Sequence, residues 1–515
     1  MSTPAQSAGA DKLDARVLKI AGVVVLGAIM SILDVTVVSI ALPTFQAEFG
    51  ATYATVAWTM TGYTLALATV IPMTGWAADR FGTKRLYLMA LTLFVAGSVL
   101  CSLAWSIESL IAFRVLQGLG GGMLMPVGMT IMTRAAGPQR IGQVMAVLGI
   151  PMLLGPIGGP ILGGWLIESA SWHWIFLINL PIGLIALIYA IVVLPKDTPH
   201  PSESFDFVGM LLLSPGLAAF LFGVSTIPEE GTVASAKVLI PAIIGLVLVV
   251  TFVFYSLRKT NPLIHLTLFK NKNLTFAVIC MTLFAIAFFG AGLLFPSYFL
   301  QVRGEETLAT GLLLAPQGIG AMITMPIAGK IADKAGAGKI VPVGLVLAAI
   351  GLFTFTQVSA DTSYVLLLSS LFVMGLGLGA TMMPIMTVAM QTLTDHEIAR
   401  GTTLMNIVQQ TAGSIGTAVM SVVLTNQMLN HPEIGLAQAA ANDDQVMGEL
   451  VQQVGPDGIE GFFAKALEFS ADGFATTFTV ALCLLVLTLI PAFMLPKKKP
   501  ELPEGDEPRP EVMMH

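Results

Sequence analysis

Fourteen apolar runs, each close to the roughly 20 residues that cross a bilayer as a helix, divide this chain. They lie near 20–42, 53–74, 86–105, 108–131, 142–167, 173–194, 207–226, 237–257, 273–299, 308–328, 339–359, 363–390, 401–425 and 473–495, with short polar or Gly/Pro-rich breaks between them. A barrel of the outer-membrane type would alternate polar and apolar residues instead of running apolar for a whole span. Of the 515 residues, 55% are hydrophobic and 11% charged, against roughly 25% charged in an ordinary soluble domain. That balance excludes a soluble enzyme, a disordered chain and a nucleic-acid binder. The first run, starting near Ile20, exceeds the apolar core of a cleaved signal peptide and is expected to stay as the first spanning helix.

An even number of spans puts both termini on one side, and the basic residues test that layout. With the amino terminus inside, 21 of the 25 Lys and Arg residues fall in cytoplasmic segments. Lys237, Arg303 and Lys465 fall outside, and Arg114 lies within a span. A miscounted helix would swap the side of every later loop and spoil the asymmetry. The net charge of -6 says little beside this distribution. Cys101, Cys280 and Cys483 are odd in number and sit in apolar runs, which argues against a disulfide framework. No histidine lies mid-membrane or beside a second ligand at metal-binding spacing. Residues 426–472 read as a large polar outer loop, with a short helix near Asp444 to Val454, and 1–19 and 497–515 as solvated tails. Lys497, Lys498 and Lys499 read as an anchor at anionic headgroups.

Two segments repeat. Gly75-Trp-Ala-Ala-Asp79-Arg80-Phe-Gly82-Thr-Lys84-Arg85 and Gly329-Lys-Ile-Ala-Asp333-Lys334-Ala-Gly336-Ala-Gly338-Lys339 each follow the second helix of a six-helix group. The chain therefore divides into a bundle over 20–195, two inserted helices within 196–272, and a second bundle over 273–496. Repeated halves with a substrate site between them near the midplane are a transporter architecture.

The first repeat resembles the cytoplasmic signature of the major facilitator superfamily, Gly-x3-Asp-Arg-x-Gly-x-Lys-Arg; the second departs from it at Gly338, where a basic residue is usual. Three more segments resemble the 14-helix drug:proton antiporter branch. They are Leu33-Asp34-Val-Thr36 through Pro43 in the first helix, Arg114-Val-Leu-Gln117-Gly118 in the fourth, and Gly149 through Gly164 in the fifth, followed by Trp172 through Pro181. The resemblance implies an all-α integral membrane protein with the major facilitator fold, two six-helix bundles plus two inserted helices. It further implies a transporter that is not an enzyme, has no cofactor and is driven by the proton gradient. Its partners would be protons, membrane lipids and amphipathic or hydrophobic small molecules, exported across the cell membrane as in multidrug efflux and antibiotic resistance.

Asp34 and Arg114 are the ionisable residues deep within spans. Asp34 lies about 12 Å and Arg114 about 9 Å below the outer ends of helices running in opposite directions, so the two reach similar depth. An intramembrane charge is costly unless paired or hydrated, and is functional by default. Asp34 is the candidate proton site and Arg114 its tuning partner; a purely structural ion pair is the alternative. Gly155, Pro156, Gly158, Gly159, Pro160, Gly163 and Gly164 make the fifth helix one of close approach, and the family associates this motif with exporters. Ala412-Gly413-Ser-Ile-Gly416 is its counterpart in the second half. Gly75, Asp79, Arg80, Gly82, Lys84, Arg85 and Asp333 are candidates for a conformational switch. Their acidic members sit where a carboxylate accepts bonds from a helix amino terminus or an arginine in one state only. Beside that stands ordinary positive-inside anchoring.

Trp58, Tyr63, Gln117, Phe295, Tyr298, Gln317, Met325, Asn406 and Gln410 are candidates to line the substrate cavity, although most such residues in spans simply pack. Asp206 reads as a capping residue at the edge of the seventh helix. Rival readings are a translocator of lipid or cell-envelope precursors, an uptake symporter, an intramembrane enzyme and a receptor. The enzyme would need nucleophiles, histidines or carboxylates clustered at one depth. An ATP-driven pump would need a Gly-x4-Gly-Lys-Ser/Thr stretch, and Gly338-Lys339 is followed by Ile340. Docking of a periplasmic adaptor on the outer side stays open.

Overall fold

The computed structural model describes residues 14–137, 139–197, 204–455 and 458–498. The tails, Lys499 among them, fall largely outside these residues. The first half is built from α1 (Ala15–Phe49), α2 (Tyr53–Val70), α3 (Thr74–Phe81), α4 (Thr83–Ser102), α5 (Ile107–Ala136), α6 (Ile141–Ser169), α7 (Trp174–Leu177) and α8 (Asn179–Val193). Two further spans follow, α9 (Phe207–Ser225) and α11 (Ala236–Arg258), joined by the short α10 (Ile227–Glu230). The second half comprises α12 (Lys272–Gln301), α13 (Thr307–Ala335), α14 (Ala337–Phe355), α15 (Tyr364–Gly379), α16 (Met382–Gln391), α17 (Asp395–Leu429), α18 (Pro432–Asn442), α19 (Asp444–Val454), α20 (Ile459–Leu487) and α21 (Leu489–Ala492). Thirteen helical stretches among the described residues are long and apolar enough to cross a membrane. The unbroken 29-residue α6 supplies the fourteenth span.

Local chemistry sets the ends. The Asp14 carboxylate accepts from Val17 N at 2.8 Å to open α1, and Gly50, in the left-handed region at φ 58, closes it. Ser106 and Ser109 exchange bonds as a capping box at the start of α5. Asp206 caps α9 as expected, accepting from Gly209 N at 3.0 Å; it also holds Tyr255 Oη at 2.8 Å and Leu263 N at 3.0 Å, joining the start of α9 to the end of α11 and the segment after it.

The halves repeat in three dimensions. In the first, α1 packs on α6, α2 on α5, and α4 on α5; in the second, α12 packs on α17, α13 on α15, and α14 on α15. The repeated signature shows the same break: Gly82 at φ 91 and Gly336 at φ 84 each separate two helices by a single residue that only glycine occupies comfortably. Asp79 and Arg80 therefore lie in α3, and Asp333 in α13, rather than in loops. The helices run past the apolar stretch that hydropathy detects.

The polar segment at 426–472 also differs from the loop expected there. The helix at Asp444–Val454 is present as α19, but α17 continues to Leu429, α18 spans Pro432–Asn442, and α20 starts at Ile459. Ile434, Ala437 and Ala440 recur at helical spacing and are buried, so α18 has an apolar stripe. That helix packs on α20, and the His431 ring stacks on Phe469 with centroids 4.1 Å apart. A small helical cap thus stands where an irregular loop was expected.

Candidate functional site

The deepest polar cluster lies among α1, α2, α4, α5 and α8. Arg114 Nη1 meets Asp34 Oδ2 at 2.5 Å, with both side chains wholly buried. Gln117, one turn along α5 from Arg114, ties the pair together: its Oε1 accepts from Arg114 Nη1 at 2.6 Å and its Nε2 donates to Asp34 Oδ1 at 2.7 Å. Ser98 Oγ accepts from Gln117 Nε2 at 2.7 Å and from Asn179 Nδ2 at 3.2 Å. Arg114 Nε donates to Thr59 O at 3.1 Å, and the guanidinium lies over the Tyr63 ring, 4.2 Å from its centroid. Tyr63 Oη in turn is 3.2 Å from Ser31 Oγ. Arg114 Nη2 is buried with no hydrogen-bond partner among the described residues. A charge pair held this way depends on both members, because removing one leaves the other buried and uncompensated, at a cost of about 3–5 kcal/mol.

Helix α6 clamps the face of α1 adjacent to Asp34. A methyl on Gly155 would strike Ile32, one on Gly159 would strike Thr36, and one on Gly163 would crowd Val37 at 3.1 Å. Gly158 has Leu33 at an ordinary 3.6 Å, and Gly164 has open space around it. Close approach therefore rests on Gly155, Gly159 and Gly163, and the motif's Gly164 takes no part in it. The side chains of Pro156 and Pro160 lie outside the described residues.

At the end carrying both described termini, the two halves are shut against each other. The backbones of Gly142 on α6 and Gly329 on α13 touch. Asp333 accepts from Gly142 N at 2.8 Å and Gln143 N at 3.1 Å, and from Gln391 Nε2 at 2.9 Å. Its carboxylate thus caps the amino terminus of a helix in the other half. Thr130 and Thr402 hydroxyls lie 2.8 Å apart, and those of Thr74 and Thr403 3.0 Å apart. Gly75 packs against Ala399, Arg400 and Thr403 of α17.

Asp79 takes the arginine option, pairing with Arg134 at 3.0 Å and approaching Arg400 of the opposite half at 3.9 Å. Lys84 Nζ caps the end of α8, donating to Ile191 O at 2.7 Å and Leu194 O at 2.8 Å. The Lys84 and Arg85 backbone amides donate to Asp197, against which Gly82 is pressed. Asp79 and Asp333 thus bridge the halves, while Gly82, Lys84 and Arg85 brace the first half internally. Asp333→Asn is expected to weaken the seal by about 1.5–3 kcal/mol, the worth of hydrogen bonds to a charged group. A fall in turnover of about tenfold or more should follow, and Asp79→Asn should act in the same direction. Equilibrium binding of a fluorescent substrate should change less than transport in both variants.

Several cavity candidates are placed elsewhere. Phe295 packs on Phe355 and Phe478, with centroids 4.9 and 5.0 Å away. Tyr298 is buried beside Phe474 and donates to Ser359 O at 2.8 Å. Both belong to the interior of the second half, because aromatic bulk at those positions fills the α12–α14–α20 junction. Tyr63 and Gln117 are sealed within the ion-pair cluster. Met325 lies at the α6–α13 seam, its Sδ 2.6 Å from where a Gly149 side chain would begin. Asn406 Nδ2 reaches Met129 Sδ at 3.4 Å across the α5–α17 seam. Gln317 borders a small apolar space with Phe295; Gln410 is half-buried on α17. Trp58 stacks on Phe222 of α9 at 5.4 Å, on the flank toward the inserted pair. Nothing in the sequence assigns a role to Ser98, Thr59 or Ser31. Asn179 stood only within a quoted motif. Uncharged polar residues are too common in spans to mark themselves.

Among the described residues, twelve spans in two repeated groups of six, with an inserted pair between them and the halves closed at one end across a seam, define a multi-pass membrane protein of the transporter type. The sequence matches the Major Facilitator Superfamily profile over residues 24–417, and the chain belongs to that superfamily. It is 52% identical over 496 residues to the multidrug resistance protein B homolog of Mycobacterium tuberculosis (strain ATCC 25618 / H37Rv), covering 95% of this chain and 92% of that one. It is 29% identical over 409 residues to the multidrug export protein EmrB of Escherichia coli (strain K12), covering 79% and 80%. Among solved structures it is similar in fold to the human organic anion transporter MFSD10 (TETRAN), with a TM-score of 0.60 at 15% identity over 92% of this chain and 100% of that one. The proton:xylose symporter XylE gives 0.55 at 14% identity over 92% and 95%.

Proposed function

We propose that this chain is a proton-coupled exporter of amphipathic or hydrophobic small molecules, working by alternating access, with Asp34 as its proton site. The observation that carries this reading is the wholly buried Asp34–Arg114 pair, set on the helix that α6 grips. Protonating Asp34 removes the charge that Arg114 balances. The arrangement then loses its main electrostatic support, and a state in which water or another partner reaches the guanidinium gains relative weight. Movement of α1 passes directly to α6 through Gly155, Gly159 and Gly163. The same α6 carries Gly142 and Gln143, whose amides Asp333 holds. A proton event at one depth is thereby connected to the seal at another through a single continuous helix.

The excess of Lys and Arg at the end carrying both described termini supports a cytoplasmic placement of that end. The shut seam would then make this an outward-facing arrangement. The helix pairing within each half supports a domain division at 20–195, 196–272 and 273–496.

Reconstitution into liposomes with an imposed pH gradient tests the reading. Accumulation of a cationic dye such as ethidium should follow the gradient, collapse with a protonophore, and be accompanied by proton movement in the opposite direction. Dye transport indifferent to the gradient would remove the proton coupling, and movement of a labelled lysolipid without movement of dye would favour the lipid-translocator reading instead.

A further inference from the structure

The inserted helices α9 and α11 have no part in the ion pair or the seam, yet with α2 they line a sizeable cavity. It measures about 660 Å³ and lies at the end opposite the seam, between α2 and the inserted pair. That volume falls within the roughly 300–1,000 Å³ of small-molecule sites. Trp58 and Phe222 form an aromatic wall, Thr61 and Ser225 add hydroxyls, Ile244 lines the outer side, and Lys237 stands at the mouth. The apolar rim faces outward from the protein: Ile240 is 58% and Ile244 51% exposed. In a spanning chain those surfaces meet hydrocarbon, so the cavity opens sideways into the bilayer rather than toward the seam between the halves.

Lys237 at the mouth pairs with a carboxylate that stands just beyond the cavity lining. Lys237 Nζ lies 2.8 Å from Glu230 Oε1, and the lysine side chain is 76% exposed. Ser235 Oγ donates to Glu230 Oε2 at 2.6 Å. Bonds from Lys237 and Ser235 hold the Glu230 carboxyl below the usual carboxylate range, so it stays ionised beside the ammonium. Lys237 is also the second residue of α11, a 23-residue helix whose amino-terminal dipole adds positive potential. An ammonium and a carboxylate side by side at a membrane boundary, above an aromatic and aliphatic slot, match a ligand with the reverse arrangement: phosphate and amine on an acyl chain.

We propose that this cavity binds one phospholipid with a primary-amine zwitterionic headgroup, of the phosphatidylethanolamine type. Its phosphate lies at Lys237, its amine donates to Glu230, and an acyl chain runs between Trp58, Phe222 and Ile244. The lipid fills the space between α2 and α11, a helix that otherwise packs mainly on α9. The opposite flank of the pair is already sealed to α17 by Val224, Ile227, Val238 and Ala418. The proposal gives the inserted helices a lipid-held joint with the first half, and it stands independently of proton coupling.

The test uses the purified full chain titrated with palmitoyl-oleoyl phosphatidylethanolamine, phosphatidylglycerol, phosphatidylcholine or diacylglycerol, with the first bound lipid counted by native mass spectrometry. The phosphatidylethanolamine is expected to bind about tenfold more tightly than the choline lipid, whose headgroup has no N–H to donate. Lys237→Gln should weaken its binding about tenfold, and Glu230→Gln should erase the preference over choline. Thr61→Trp, which fills the slot without altering charge, should abolish the tight site. Bromine placed on the acyl chain should quench tryptophan fluorescence in the native chain and markedly less in Trp58→Phe. Equal binding of all four lipids, tightest binding of phosphatidylglycerol, or an intact tight site in Thr61→Trp would overturn the proposal. Displacement of the lipid by a transported dye would overturn it too, by making the cavity part of the transport path.

Discussion

Asp34→Asn is expected to abolish proton-driven efflux, and combining it with Arg114→Gln should restore stability without restoring transport. The single substitution keeps the shape of the side chain, and the new amide still offers an oxygen to Gln117. It leaves the Arg114 guanidinium buried and uncompensated, so stability should fall by about 3–5 kcal/mol, read as a lower midpoint of thermal unfolding in detergent. Arg114→Ala should cost as much from the other side. In the double variant no net charge remains in the cluster, and a neutral replacement of a buried pair is often harmless to stability. A pair with a merely structural role predicts that transport returns along with stability. A proton site predicts that it does not, since no titrating carboxyl is left. Recovery of gradient-driven efflux in the double variant would therefore remove the proposed role of Asp34, and the thermal measurement guards against mistaking misfolding for loss of coupling.

Gly329→Val should produce the second large effect, by wedging the seam. The first carbon of any side chain there would meet Gly142 C at 2.8 Å and Ala146 Cβ at 3.3 Å. Backbone cannot yield as a flexible side chain does, so α6 and α13 must separate. A reporter at Thr402→Cys, with the exposed Cys483 replaced by serine, reads the outcome. Thr402 is wholly buried in the shut arrangement, so the thiol should resist a membrane-impermeant maleimide. The added Gly329→Val should make it react, and transport should fall to background because the cycle cannot return to the closed form. Gly142→Val should behave alike, its side chain striking Asp333 Oδ1 at 2.8 Å as well as the Gly329 backbone. Protection unchanged in both variants would mean that the seam opens elsewhere.

The spans were legible because lipid imposes a length and a polarity on every helix, a stronger constraint than water imposes on a soluble domain. Asp34 and Arg114 were legible for the same reason, being ionised groups where few are tolerated. What hydropathy could not show was helix that continues beyond the bilayer. Residues 459–472 contain Glu460, Lys465, Glu468 and Asp472, which are ordinary for a helix in water but erase the apolar signal. Asp79 and Asp333 looked like loop residues for the same reason. Facing was also hidden. Nothing in a span of apolar and aromatic residues distinguishes Phe295 and Tyr298, which fill the second half, from a residue lining a central space. The neutral members of the ion-pair cluster illustrate a third limit. Ser98 and Asn179 come from different helices, and only the packing of α8 on α4 brings them together.

The adjacent threonines of α17 have one further consequence. Successive residues of a helix project about 100° apart around its axis, and Thr402 engages α5 while Thr403 engages the start of α3. Two grips at such different bearings stop the rod from rolling in place, as a keel in a slot is stopped. Both can be released together only by lifting or tipping the rod as a whole, so departure from this arrangement begins as a sideways swing of α17 and not as a twist.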